Sequence, residues 1–366
     1  MIQSGRDASL RNLTARRIAV IKPSALGDVV QALPLLPVLR ARFPAARLTW
    51  VIQRELQDLV SDHPSLDEMI CVDRRPTAGQ VVRLCRQLRG REFDLVFDLQ
   101  GLLRSAVLTL ATGALWRVGL ETAREGASLA TNCVIPDSGR EIPAHARYWR
   151  VAEALGMGTH PREVWLTLSA ADNLRAVDWL RRLPRPVLAV QWGAKWVTKR
   201  WPLAGFAEVL SRAGRAWGGS LVIVGGRSER PECDWLTEKL AETVGRSSVL
   251  NLAGQTSIKQ LAAVLSRVDA VVSNDSGPLH LAAELGRPTL GIFTCTSAVR
   301  SGPPGTQHEF VSTQVPCAAS YCKVCPHTGT RHMACHQELT VERVWQGLQR
   351  LVAKHELAPQ IRRFAA

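Results

Sequence analysis

The stretch Val271-Val-Ser-Asn-Asp-Ser-Gly-Pro-Leu-His-Leu-Ala-Ala-Glu-Leu-Gly286 decides how the rest of the chain is read. Val271 and Val272 are β-branched and apolar, as at the end of a buried strand. Ser273 to Gly277 form a polar turn, and Pro278 suits the first position of a helix because its φ is fixed and its N–H is absent. Leu279, Ala282, Ala283 and Leu285 make a helical apolar face, which Gly286 and Pro288 bring to a stop. A strand that feeds a tight turn onto a helix start aims several backbone N–H groups at one spot, a site suited to phosphate. The plainer alternative is that Asp275 or Ser276 caps the helix while Gly277 eases the turn. This stretch alone does not separate the two.

The same alternation extends in both directions. Arg17–Lys22 reads as a strand, Pro23–Asp28 as a turn and Val29–Phe43 as a helix that Pro34 and Pro37 kink or confine. Leu48–Ile52 returns as a strand and completes a βαβ unit with parallel strands. Further strands are expected at Met69–Val72, Phe93–Leu99 and Trp116–Leu120, with helices at Val81–Leu88, Leu102–Ala111 and around His145–Leu155. After Leu183-Pro-Arg-Pro186 a second series begins. Its strands are Val187–Gln191, Ser220–Gly226, Val268–Ser273 and Thr289–Thr294. Its helices are Pro202–Ala216, Arg230–Val244, Ile258–Arg267 and a final amphipathic one at Val341–Lys354. The expectation is an α/β protein with two doubly wound domains facing a cleft. A flexible leader would cover 1–16, a first domain 17–182, a second domain 183–340 with a Cys-rich segment at 317–336, and a helix and tail 341–366.

Composition narrows the class. A length of 366 residues favours two domains, and an apolar content of 46% suffices for two cores. No apolar run is long enough to cross a bilayer, and Met1–Arg17 lacks the apolar centre of a secretion signal. Nine cysteines in a chain of this size point to a reducing compartment and a cytosolic protein. The formal charge of +14 is spread along the chain and attracts anions: nucleic acid, acidic lipid surfaces or phosphorylated small molecules. No zinc-finger, basic-zipper or aromatic RNA-binding pattern supports specific nucleic-acid recognition.

Four constellations can carry chemistry. Gly27-Asp28 lies in the first strand-to-helix turn, where open α/β sheets place ligands, and an aspartate there can act as a general base or simply as an N-cap. No dinucleotide Gly-x-Gly-x-x-Gly is present in that turn. Gln191–Pro202 combines Gly193, Lys195, Thr198, Lys199 and Arg200 in one loop, joining cationic tips to backbone donors as phosphate binding requires; a solvated basic loop is the alternative. Gly225-Gly226 and Glu229 form another strand-end turn, in which a carboxylate can meet ribose hydroxyls. Cys317, Cys322, Cys325 and Cys335, close to several histidines, are a candidate structural metal site for Zn or Fe, although the gaps are irregular. There is no His-Glu-x-x-His and no Gly-x-Ser-x-Gly, which removes metalloprotease and α/β-hydrolase readings.

Taken in order, these pieces resemble glycosyltransferase family 9, the ADP-heptose:lipopolysaccharide heptosyltransferases. The resemblance rests on Ile21–Asp28, Asp98–Ser105, Gly119–Glu125, Trp192-Gly-Ala with Thr198–Pro202, and Ser273–His280. It implies a GT-B fold of two Rossmann-like domains, with the donor held mainly by the second and the acceptor by the first. It also implies an inverting transfer of heptose from ADP-heptose to a lipid A–core acceptor without a catalytic metal or other required cofactor. Asp28 matches the proposed general base, and Lys199 a donor-phosphate lysine that joins it as a catalytic residue. Gly193, Thr198, Arg200, Gly226, Glu229, Asp275, Ser276, Gly277 and His280 fall in donor-side motifs. Ser24, Gly27, Gln100, Arg104, Thr122 and Arg124 fall in acceptor-side motifs. Such an enzyme would work in the cytoplasm, in peripheral contact with the anionic inner-membrane surface. The alternatives are a related transferase using another nucleotide sugar or a protein acceptor, or a non-catalytic nucleotide- or nucleic-acid-binding protein on the same scaffold.

Overall fold

The computed structural model describes residues 10–357. Most of the expected leader, and the end of the expected tail, lie outside the described residues. The fold divides into two compact units, Met1–Thr167 and Leu168–Ala366.

In the first unit, six parallel strands stand in the order β3-β2-β1-β4-β5-β6. They are β1 (Arg17–Ile21), β2 (Arg47–Gln53), β3 (Glu68–Val72), β4 (Leu95–Asp98), β5 (Trp116–Leu120) and β6 (Cys133–Ile135). Ile18, Ala19, Val20 and Ile21 of β1 are all buried, as expected for a central strand covered on both faces. The helices are α1 (Leu26–Ala32), α2 (Leu35–Arg42), α3 (Ala78–Arg89), α4 (Leu103–Thr112) and α5 (Ala144–Ala154). The single helix expected over Val29–Phe43 is two, because Pro34 has no N–H to continue the first ladder and becomes the N-cap of α2. Pro37 falls in the first turn of α2, where a missing N–H costs nothing.

The second unit contains β7 (Val187–Gln191), β8 (Ser220–Ile223), β9 (Val249–Asn251), β10 (Ala270–Asn274), β11 (Thr289–Phe293) and β12 (Glu309–Ser312). Their order is β12-β11-β10-β7-β8-β9, so counted within its own unit this sheet repeats the 3-2-1-4-5-6 order of the first. Its helices are α6 (Ala170–Leu180), α7 (Leu203–Trp217), α8 (Arg230–Val244), α9 (Ile258–Leu265), α10 (Gly277–Glu284), α11 (Ala298–Ser301), α12 (Ala334–Glu338) and α13 (Val341–Lys354). The core joins Val190, Val272 and Ile292 of the strands to Phe206, Leu236 and Leu348 of the helices. Each such side chain contributes roughly 1.5–3 kcal/mol on full burial. The unit begins ahead of the Pro-rich stretch because α6 packs on α9 of this sheet. No helix among the described residues is long and apolar enough to cross a membrane.

Six elements escape the sequence reading, among them the short helices α11 and α12. β6, β9 and β12 are edge strands of three or four residues, too short to display an alternating pattern. Helix α6 buries only Ala176 and exposes Leu174 and Val177. Its one legible signal is the capping box formed by Ser169 and Asp172.

Candidate functional site

Each sheet has its topological switch point where two central strands lead to crossovers on opposite sides: between β1 and β4, and between β7 and β10. The candidate residues gather at the carboxyl ends of these strands.

In the second unit, β7 and β10 pair in parallel with Ser273 beside Gln191. The next residue, Asn274, is fully buried and braces the loop that follows β7. Its Nδ2 donates to the Trp192 carbonyl, and its Oδ1 accepts from the Trp201 N–H at 3.2 Å. The loop so held presents Lys199, whose Nζ lies 2.7 Å from Asp275 Oδ2 and 4.9 Å from the Trp196 ring centroid. Asp275 Oδ2 also accepts from Thr296 Oγ1 at 2.7 Å, while His280 Nε2 stands 3.6 Å from Oδ1. Burial pushes the Asp275 carboxyl up, but the Lys199 ammonium and the His280 bond outweigh it and hold the group well below the usual carboxylate range. Asp275 is therefore a fixed negative charge that orients Lys199.

Ser276, the N-cap of α10, makes no side-chain capping bond; its Oγ is 3.0 Å from Ser273 Oγ. The plain capping role thus falls away, and the first-turn N–H groups after Gly277 remain donors beside Lys199. Gly193 abuts Glu229: a Cβ there would lie 1.7 Å from Oε1 and would push the carboxylate aside. Glu229 Oε2 accepts from the Gly226 N–H at 2.9 Å and from Gln191 Nε2 at 3.3 Å, which locks together the turns after β7 and β8.

Two residues of the loop face inward. Thr198 Oγ1 donates to the Cys322 carbonyl at 2.7 Å, and the Thr198 carbonyl receives Thr294 Oγ1 at 2.6 Å. Arg200 Nε donates to the Ala194 carbonyl at 2.7 Å and its guanidinium lies over the Trp192 ring. His336 Nε2 is 3.2 Å from the Thr198 carbonyl, so the Cys-rich segment clamps the Lys199 loop. Among the described residues no cysteine forms a disulfide. Among the described residues no three His, Cys, Asp or Glu side chains converge in a geometry that could hold a metal ion. Cys322 turns toward the Ser320 carbonyl, whereas buried Cys335, its thiol pushed up to about 11 mainly by burial, has Cys295, Cys317 and Cys325 as electrostatic neighbours.

In the first unit, Asp28 sits in the first turn of α1 and accepts from the Ala25 N–H at 3.3 Å. Tyr148 of α5 donates its hydroxyl to Asp28 Oδ1 at 3.2 Å. Lys22, only 3% exposed, places Nζ 3.9 Å from Asp28 Oδ2 and 5.2 Å from the Tyr148 ring centroid. Burial lowers the Lys22 pKa, while Asp28 and Asp98 partly restore it; burial and the Asp28 charge raise that of Tyr148 well above its ordinary value. Asp98 ends β4, and its carboxylate accepts from the N–H groups of Gln100 and Gly101 and from Ser105 Oγ at 2.9 to 3.0 Å. Gln100 Oε1 in turn accepts from the Ser24 N–H at 3.2 Å.

The fold therefore joins Ser24, Gly27, Asp28 and Gln100 around the β1/β4 switch point. Thr122 and Arg124 arrive through the Arg124 N–H to Gly101 carbonyl bond at 3.0 Å, while Arg104 turns to the Arg74 carbonyl at 3.2 Å. Sequence reading misses Lys22 and Tyr148 as partners of Asp28, and Asn274 and Thr296 as braces of the Lys199 pair. Tyr148 lies 120 residues from Asp28, and no local pattern marks it.

The family model described as glycosyltransferase family 9 (heptosyltransferase) matches residues 81–330. Lipopolysaccharide heptosyltransferase 1 of Pseudomonas aeruginosa is 30% identical over 343 residues, covering 86% of this chain and 88% of its own. Lipopolysaccharide core heptosyltransferase OpsX of Haemophilus influenzae is 27% identical over 300 residues, covering 81% of this chain and 84% of its own. The solved structure of Escherichia coli ADP-heptose lps heptosyltransferase II superposes with a TM-score of 0.73 at 23% identity, over 93% of this chain and 99% of that one. The two-sheet α/β architecture is thus the GT-B fold of these enzymes.

Proposed function

The chain belongs to glycosyltransferase family 9 (heptosyltransferase), and on that premise we propose that it transfers heptose from ADP-heptose to the inner core of lipopolysaccharide. The names of its relatives support heptose transfer to lipopolysaccharide, and that of the similar Escherichia coli structure supports ADP-heptose as donor. The observation that carries the reading is Lys199, fixed 2.7 Å from buried Asp275 beside the uncapped start of α10. A nucleotide diphosphate is the leaving group that such a cation and helix N-terminus are suited to hold.

In the reaction, the acceptor hydroxyl gives its proton to Asp28 as its oxygen bonds to the anomeric carbon. The bond from that carbon to the β-phosphate oxygen breaks, ADP leaves with the electron pair, and the configuration inverts. Negative charge grows on the β-phosphate, where Lys199 and the α10 donors stabilise it most in the transition state. Fixed positive charge from the protein supplies what a metal ion would otherwise bring. On this reading Gly193, which leaves room for the Glu229 carboxylate, belongs with Gly226 and Glu229 to the donor side. Ser24, Gln100, Thr122 and Arg124 form the acceptor side. The acceptor is an amphiphile, so the reaction takes place at the anionic cytoplasmic surface of the inner membrane, with the protein bound peripherally.

The test is ADP release from ADP-heptose with a panel of heptose-deficient lipopolysaccharide acceptors. Turnover on one of them is expected; silence on all would overturn the reading. Asp28→Asn should lower turnover by about 10²–10⁴ and leave ADP-heptose affinity unchanged. An unaltered rate would remove Asp28 from the mechanism.

A further inference from the structure

Helix α4 carries large apolar side chains on its exposed side, while its buried side mixes Ala and Leu with Ser and Thr. Ser105, Ala106, Leu108, Thr109 and Thr112 are buried. Leu103, Val107 and Leu110 are 57%, 42% and 54% exposed, and their spacing of four and three residues aligns them in one stripe. The outer face of a helix on a globular protein is ordinarily polar. Another large apolar side chain, Leu129, is 87% exposed on the short turn Ala127–Ala130, which packs against α4.

Arginines flank this stripe. Helix α3 packs on α4 and exposes Arg83, Arg86 and Arg89. The Arg89 guanidinium reaches the end of α4, where a Cβ on Gly113 would lie 1.4 Å from its Nη1. At the other end, Arg104 donates to the Arg74 carbonyl. Of the nearby carboxylates, Asp73 pairs with Arg54 and Glu68 with Arg91, while Glu125 accepts from the Leu103 N–H at 3.2 Å. Arg83, Arg86 and Arg89 have no ion-pair partner among the described residues.

We propose that the α3–α4 face of the first unit docks on an anionic phospholipid bilayer, its aliphatic stripe entering the headgroup boundary and its arginines meeting lipid phosphates. The proposal rests on the membrane-borne acceptor of the preceding reading and adds the surface that reaches it. Apolar side chains rimmed by uncompensated cations match an interface that is apolar within and negative at its edge. A second copy of the same face would set arginines against arginines.

The test is co-sedimentation of the full-length protein with vesicles of equal parts phosphatidylethanolamine and phosphatidylglycerol, against vesicles of phosphatidylcholine alone. Binding to the anionic vesicles and not to the neutral ones is expected. Arg83→Gln with Arg86→Gln should weaken that binding about 25-fold, at roughly fivefold for each arginine brought to the surface. Val107→Ser with Leu110→Ser should weaken it roughly tenfold or more. Leu129→Ser, at a position too exposed to affect packing, should act in the same direction if the double variant fails to fold. All three are expected to keep wild-type ADP release on a detergent-dispersed acceptor. Wild-type protein that ignores anionic vesicles, or variants that bind as wild type does, would overturn the proposal. So would a dimer that Val107→Ser with Leu110→Ser dissociates while vesicle binding persists. Lost vesicle binding with intact turnover sinks the surface alone, whereas absent turnover with intact vesicle binding sinks the transferase reading.

Discussion

Lys199 and Asp275 depend on each other for different reasons. The lysine needs an anion to fix its position in a part-buried loop, and the aspartate, only 4% exposed, needs a cation to offset its lost hydration. Lys199→Met should therefore have two separable effects. Turnover is expected to fall by about 10²–10³ as charge is lost at the leaving group, and stability by about 3–5 kcal/mol as Asp275 is stranded. Adding Asp275→Asn should restore most of the stability, read by urea unfolding, and none of the rate. Recovery of ADP release in the double variant would show that Lys199 acts only as a structural partner. Because the Asp275 carboxyl is depressed, its stabilising effect is complete above the ordinary carboxylate range and is lost only as pH falls through its lower folded value. Asp275 should therefore stay ionised between about pH 5 and 8. Both residues were legible in the sequence as members of separate motifs, but their pairing was not. They lie 76 residues apart, and only the adjacency of β7 and β10 brings them together.

At the scale of elements, the turns that follow strands work as interlocked pieces. Gly193 after β7 and Glu229 after β8 touch so closely that neither can change freely. Gly193→Ala should displace the Glu229 carboxylate from the Gly226 N–H and from Gln191, at a cost of roughly 1–3 kcal/mol. In a Glu229→Ala background the same substitution should cost much less, and a double-mutant cycle in urea measures the difference. Equal costs in both backgrounds would refute the contact. The strand–turn–helix units at Asp28 and Ser273–His280 were readable because apolar period and turn chemistry act within a few residues. The edge strands β6, β9 and β12 were not, since three or four residues carry too little pattern and pair only once the sheet exists. The clamp of the Cys-rich segment on Thr198 was equally hidden, because it runs through backbone carbonyls that carry no sequence signature.

Across the whole molecule, two buried histidines make stability depend on pH, one in each unit. Among the described residues, the Nε2 atoms of His63 and His308 have no hydrogen-bond partner, and burial lowers each pKa to about 4. A histidine held neutral when folded contributes fully above its unfolded value, near 6.5, and loses that contribution as pH falls toward the folded one. Moving from pH 7 to pH 5 should therefore cost about 2 kcal/mol for each histidine. Urea midpoints of His63→Gln and His308→Gln, each less sensitive to pH than the parent, check this; an unchanged slope would refute it. The sequence by itself determined that this is a repeated α/β chain, that polar glycine-containing turns follow its strands, and that its net charge attracts anions. Local backbone preference, apolar period and charge suffice for that, and all three are written in neighbouring residues. The tertiary structure decided the 3-2-1-4-5-6 order of each sheet, the pairing of Lys199 with Asp275 and the seating of Asp28 against Tyr148 and Lys22. Those partnerships arise from which strands lie side by side and what their packing buries, and burial is a property of the folded whole.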